Sequence, residues 1–128
     1  MILEFKFKNG RSAKDWQILS FEASADKVSE EYYCTTINDT KVLKLGILYG
    51  ANASGKTNVL LALDFIRKIA ISPKINKMQP IGFTPFLLDD TTKKECGVFE
   101  LTFFVNNMKH IYYLEVDNSA VLKETLKY

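Results

Sequence analysis

Gly50-Ala51-Asn52-Ala53-Ser54-Gly55-Lys56-Thr57 is the stretch from which this chain is read. Two glycines five positions apart let a backbone turn tightly and pass close to another group. A lysine and a threonine follow the second glycine, in the spacing G-x-x-x-x-G-K-S/T that marks a phosphate-binding P-loop. That pattern carries weight only between a buried strand and a helix. Lys44-Leu45-Gly46-Ile47-Leu48-Tyr49 reads as the apolar strand running in, and Thr57 to Ile71 as the helix running out. In such a loop, backbone N–H groups and the positive end of the helix face an anion. Lys56 can bridge the β- and γ-phosphates of a nucleotide, and the Thr57 hydroxyl can ligate Mg²⁺.

The residues before the loop alternate in short runs. Ile2, Phe5 and Phe7, separated by charged residues, predict an opening strand, and Asn9-Gly10 a turn. Trp16 to Phe21 reads as a second strand pairing back on the first. Ala23 to Glu31 reads as a loop, and Tyr32 to Ile37 as a strand that Asn38-Asp39-Thr40 turns into the run Val42 to Tyr49. After the loop, Val59, Ala62, Leu63, Ile66 and Ile69 recur at helical spacing, and Leu60, Leu61 and Phe65 widen the apolar face, so the helix is expected to pack on more than one side. Ser72-Pro73 should stop it. Lys74 to Pro85 reads as a surface connection and Phe86-Leu87-Leu88 as a short apolar touch-down. Val98 to Val105 and Ile111 to Val116 form a hairpin around Asn106 to Lys109, and Val121 to Leu126 begins one more element.

Bulk properties fit one globular domain: 128 residues, 47% hydrophobic and 25% charged. A net charge of +2 is too small to point to nucleic acid or a membrane surface. No apolar run approaches the roughly 20 residues of a membrane span. With no signal-peptide form at the N-terminus, a cytoplasmic location is expected. Cys34 and Cys96 form neither a disulfide framework nor a metal pattern and read as reduced packing residues.

Hydrolysis needs more than a P-loop: a carboxylate at the end of a second apolar strand, and a group to orient the attacking water. The nearest candidates are Asp89, after Phe86-Leu87-Leu88, and Glu115, after Tyr112-Tyr113-Leu114. The first follows a short run into a polar loop, and the second continues an alternating hairpin. The bland reading of both is surface or edge-strand charge.

Gly-Ala-Asn-Ala-Ser-Gly-Lys-Thr-Asn at 50–58 resembles the G-x-N-x-S-G-K-S/T-N loop of ABC-type ATPases of the SMC and RecF-like group. Phe7-Lys8-Asn9-Gly10-Arg11-Ser12 is similar to their K-N-F-R-S opening, with Gly10 in place of the phenylalanine, and Ser20 to Ser24 follows as in prokaryotic AAA-type ATP-binding proteins. Pro85 to Asp89, Phe99-Glu100-Leu101 and Ile111 to Val116 resemble the later course of that family. The resemblance implies an α/β (α+β-like) fold, a central P-loop strand and helix beside an antiparallel β layer. It implies ATP and Mg²⁺ as cofactors, held by Gly50, Asn52, Ala53, Ser54, Gly55, Lys56, Thr57 and Asn58, with Thr57 on the metal. Arg11 and Ser12 are implied to approach the nucleotide. Gln79 is the only glutamine available as the family's Mg²⁺- and water-sensing residue.

The family's signature motif, its Walker B strand and its switch histidine have no counterpart in residues 1–128, and His110 belongs to the hairpin. The expectation is therefore a single partial domain over 1–128, the N-terminal lobe of a P-loop ATPase head without its C-terminal lobe. Such a lobe alone would bind ATP and hydrolyse little. Its expected partners are nucleotide and a second copy or second lobe; nucleic acid belongs only to a full-length protein, and no membrane is implied. The alternative is a non-catalytic interaction and assembly module with a vestigial nucleotide site. A small kinase or GTPase lacks its acceptor, lid and base-recognition motifs here.

Overall fold

The computed structural model describes residues 1–24, 30–71 and 81–128, with Glu30 and Glu31 described by backbone alone. Five strands form one antiparallel sheet: β1 (Ile2–Lys8), β2 (Gln17–Ser20), β5 (Gly97–Val105), β6 (Met108–Val116) and β7 (Val121–Lys127), in the order β2-β1-β5-β6-β7. Between β2 and β5 the chain forms a four-residue helix α1 (Glu30–Tyr33), a hairpin of β3 (Cys34–Ile37) and β4 (Thr40–Leu43), and the long helix α2 (Lys56–Ile71).

Alternation decides the sheet. In β1, Leu3, Phe5 and Phe7 are buried and the charged residues between them are half-exposed, as the two-residue period of a strand requires. Phe7 lies opposite Phe99, and Phe99 opposite Leu114, so one face gathers large apolar side chains from three strands. Helix α2 covers that face with Ala62 and Ile66, while Val59, Leu63, Phe65 and Ile69 pack around them. Phe65 and Phe99 have ring centroids 5.1 Å apart, close enough for the ring contact to add to simple burial. On the opposite face, Lys6 bridges Glu4 at 2.8 Å and Glu100 at 3.5 Å.

The β3–β4 and β5–β6 hairpins turn on asparagine. Asn38 and Asp39 (φ 46° and 64°), and Asn106 and Asn107 (φ 49° and 60°), supply the consecutive left-handed residues of a two-residue turn. The second turn is tighter than the sequence suggested, because Met108 and Lys109 already pair with Val105 and Phe104. The β3–β4 hairpin seats Val42 against Leu3 and Phe104, with Phe21 and Ile37 beside them.

Helix α1 takes up Tyr32 and Tyr33, so the strand predicted from Tyr32 begins at Cys34 and the predicted loop does not reach Glu31. Helix α2 buries one side only, with Leu60 and Leu61 exposed, not the several sides expected. Three further expectations are corrected. The run Val42 to Tyr49 is not a single strand: β4 ends at Leu43, and 45–50 joins no ladder among the described residues. The predicted central P-loop strand is therefore not formed. An apolar run becomes a strand only beside a hydrogen-bonding neighbour, and here Ile47 and Tyr49 stand 75% and 91% exposed. The run crosses Phe21 closely: a Cβ on Gly46 would lie 3.0 Å from the Phe21 ring. Next, the described end of the predicted surface connection is not superficial, because Ile81 and Phe83 pack against the main core and Pro85 is buried. Third, the touch-down at 86–88 rests on Phe86 alone, since Leu87 and Leu88 are exposed. Helix α2 is described through Ile71, so the predicted stop at Ser72-Pro73 lies outside the described residues, as does Gln79.

Candidate functional site

The loop 50–55 is built from backbone conformations that few side chains accept. Ala53 and Gly55 have φ of 64° and 90°, in or near the left-handed region that glycine enters without cost. A Cβ on Gly50 would lie 3.2 Å from Ser54 Oγ, a tight contact that Ser54 would have to ease. Ser54 N–H donates to Ala51 O at 3.3 Å and closes the bend. Helix α2 then starts as Asn58 and Val59 N–H both donate to Gly55 O, at 2.9 and 3.2 Å. The N–H groups of Lys56 and Thr57 precede the first helical donor, Asn58 N–H, and carry the positive end of the helix dipole.

Lys56 folds back over the loop. Its Nζ donates to Gly50 O at 2.8 Å, Ala51 O at 2.6 Å and Ser54 Oγ at 3.3 Å. The ammonium thus sits against the bend, still reached by solvent, at the mouth of a helix. Asn52, Ala53, Ser54 and Thr57 are exposed around it. The donor set suits a polyphosphate: one fixed cation, free helix N–H groups, a hydroxyl at Thr57 and no carboxylate within the loop.

Two further predicted residues come from the turn between β1 and β2. Ser12 reaches the loop: Asn58 Nδ2 donates to Ser12 Oγ at 2.7 Å, and a Cβ on Gly55 would lie 3.6 Å from that oxygen. Arg11, exposed and at φ 56°, is held by its backbone, its N–H donating to Thr84 O at 2.8 Å.

Neither carboxylate weighed as a second-strand metal ligand stands at the loop. Asp89 lies on no strand; it bonds Lys14 Nζ at 2.6 Å and Thr91 N–H at 2.9 Å. The Lys14 bond, then those of Thr91, hold its carboxyl well below the usual carboxylate range. Glu115 is on β6 between buried Leu114 and Val116, so it faces away from the side that α2 covers. It accepts the Tyr113 hydroxyl, a bond that, with some burial, pushes that phenol up to about 12. His110 stacks on Phe103 with centroids 5.3 Å apart, as a hairpin residue. Among the described residues no group of three or more His, Cys, Asp or Glu is placed to hold a metal ion. Cys34 and Cys96 are free and half-buried.

One residue escaped the sequence reading. Asn9 is 1% exposed and uses its whole amide: Nδ2 donates to Thr92 O at 2.8 Å, Glu95 O at 2.9 Å and Cys96 O at 3.3 Å, and Phe86 N–H donates to Oδ1 at 3.0 Å. The signals were an asparagine before a glycine at a strand end, which reads as a turn, and its place in the K-N-F-R-S resemblance, neither of which assigns it a buried role.

No curated protein and no solved structure matches the chain. Residues 46–127, from the run before the loop through β7, match the model of a family described as an AAA domain of the AbiEii toxin, Type IV TA system kind. That match covers well over half of the 128 residues. No helix of the described residues is long and apolar enough to cross a membrane. The chain belongs to this AAA domain family of P-loop nucleotide-binding domains.

Proposed function

We propose that the chain binds ATP with Mg²⁺ through residues 50–58, as part of an ABC-type ATPase head of the SMC and RecF-like kind. The observation that carries this reading is the Lys56 ammonium, held against the bend by two carbonyls and a hydroxyl at the start of α2. Neutral acceptors hold a cation there, and phosphate oxygens are stronger acceptors for it. Bound ATP supplies the phosphoanhydride and, with Mg²⁺, most of the charge of the site. The chain's own part is to neutralise charge at Lys56, donate from the helix N–H groups, offer the Thr57 hydroxyl to the cation and flank the site with Arg11 and Ser12.

Binding is separable from turnover. Asp89 and Glu115 are committed elsewhere, so the carboxylate and water-orienting group that hydrolysis requires come in this reading from a second copy or a further lobe. Thermal unfolding with and without ATP–Mg²⁺ tests the binding claim. Ligand at a hundredfold excess over Kd stabilises by about 2.7 kcal/mol, a rise of several degrees in Tm that Lys56→Ala should abolish. An unchanged wild-type Tm at millimolar ATP–Mg²⁺ would sink the reading.

A second reading, an assembly module with a vestigial nucleotide site, draws on one observation. Leu45, Ile47, Leu48 and Tyr49 are exposed together in the run before the loop, more than scattered apolar surface accounts for. It predicts association that rises with concentration and ignores nucleotide.

A further inference from the structure

We infer that Asn9 is a positioning residue for the nucleotide site, acting through the turn that carries Arg11 and Ser12. This rests on the nucleotide-binding reading above and adds to it a residue outside the loop.

The turn is short and strained. Gly10 and Ala13 bond each other through both N–H groups, at 3.0 and 2.9 Å, so Arg11 and Ser12 are its two tip residues. Asn9 and Arg11 both have positive φ, 49° and 56°. Such conformations cost a non-glycine residue free energy and persist only where the surroundings impose them. What imposes them here lies on one side of the turn. The Asn9 amide takes three carbonyls and one N–H from the segment 86–96, and the Arg11 N–H takes Thr84 O. That segment is itself closed by Thr92 Oγ1, which donates to Phe86 O and Asp89 O, both at 2.9 Å.

On the other side, the turn meets the first turn of α2, just after the loop, through Ser12 Oγ, which accepts from Asn58 Nδ2. Asn9 is therefore the fixed end of a short lever whose free end is Ser12. An alanine at 9 leaves the loop sequence untouched but removes the side chain that fixes where Ser12 and Arg11 stand. Asparagine is apt: it tolerates left-handed φ, and its amide alone can donate to the carbonyls while accepting from Phe86.

The test is a cycle read by nucleotide affinity. Binding of a fluorescent ATP analogue with Mg²⁺ is measured for the full chain, Ser12→Ala, Asn9→Ala and the double variant, each well below its own Tm. Asn9→Ala should weaken binding about tenfold, and the double variant should bind no worse than the weaker single, because both act through the same tip. The loss of Tm from Asn9→Ala should be unchanged in the Ser12→Ala background, which separates positioning from loss of fold. Affinity equal to wild type, or fully additive losses, overturns the proposal. If Asn9→Ala does not fold, Thr92→Val takes its place: it loosens the gripped segment while keeping Thr92 O, and should weaken binding threefold or more, again without adding to Ser12→Ala. Unchanged affinity in Thr92→Val overturns the proposal in that case. Lys56→Ala separates the two levels: if it binds the analogue as wild type does, the nucleotide reading itself has failed.

Discussion

Single side chains carry the site's chemistry, and two of them can be weighed against the fold. Asn9→Ala removes a donor from three carbonyls and an acceptor from one N–H, most of them sheltered from water. Leaving such groups unpaired should cost on the order of 3 kcal/mol, read as a lower urea midpoint at unchanged slope. Gly55→Ala is the complementary case. Its φ of 90° is costly for a side chain, but the residue is partly exposed and buries nothing. We expect a stability loss of about 1 kcal/mol, with the nucleotide-induced rise in Tm abolished; retention of that rise would show that the loop reshapes freely. Asn58 also shows what a pattern hides. Its place after Lys56-Thr57 was legible, whereas its partner Ser12, 46 residues away, could be reached only through a family resemblance, since nothing in local spacing links a turn to a helix start.

At the scale of elements, β1, β6 and α2 were legible because each buries one side, and period 2 or 3.6 records that in the order of residues, whereas β7 is exposed along almost its whole length. What periodicity cannot record is whether a neighbour is there. Leu45 to Tyr49 has the apolar content of a buried strand, yet the described sheet ends at β2 and β7, and the run has no ladder to join. The same limit hid Ile81 and Phe83, whose irregular surroundings read as surface. Phe83 makes its own prediction. A Cβ on Gly97 would lie 2.3 Å from Phe83 Cε2 and 3.2 Å from Asn9 O, so Gly97→Ala must expel the ring or shift β5. Overpacking of this kind costs about 1–3 kcal/mol, and Gly97→Ala with Phe83→Leu should be less destabilised than Gly97→Ala alone. On the outer face, Tyr113 is pushed up to about 12 by its bond to Glu115. A folded pKa above the unfolded value of about 10 means that the contribution is intact below pH 10 and lost as pH rises towards 12. The difference in absorbance at 295 nm between wild type and Tyr113→Phe should show that late phenol, and an ionisation midpoint at pH 10 would refute the pairing.

The whole molecule is a sheet with one well-covered face and an apolar run left in water beside its nucleotide loop. That asymmetry predicts a tendency to self-associate, the one property that the two functional readings share. Ile47→Lys, at a position 75% exposed, should lower the apparent mass in light scattering at high concentration and leave Tm within about a degree, since surface changes move stability by under roughly 0.5 kcal/mol. A mass that is monomeric in wild type, or unaltered in the variant, would mean that the run is covered by its own chain. The Asn9-Gly10 step has a chemical consequence of a different kind. An asparagine before glycine is the pair most prone to deamidate: the following backbone nitrogen attacks the side-chain carbonyl carbon, ammonia leaves, and water opens the resulting succinimide to aspartate or isoaspartate. In the folded chain that amide is engaged on every side, and the Gly10 N–H is held by Ala13 O. Ageing at this step should therefore be silent until the turn lifts off the segment 86–96, and irreversible afterwards, because an aspartate at 9 would set a negative charge against three carbonyls. The molecule carries a built-in clock for its own opening, legible by mass spectrometry as the rate at which residue 9 gains acid.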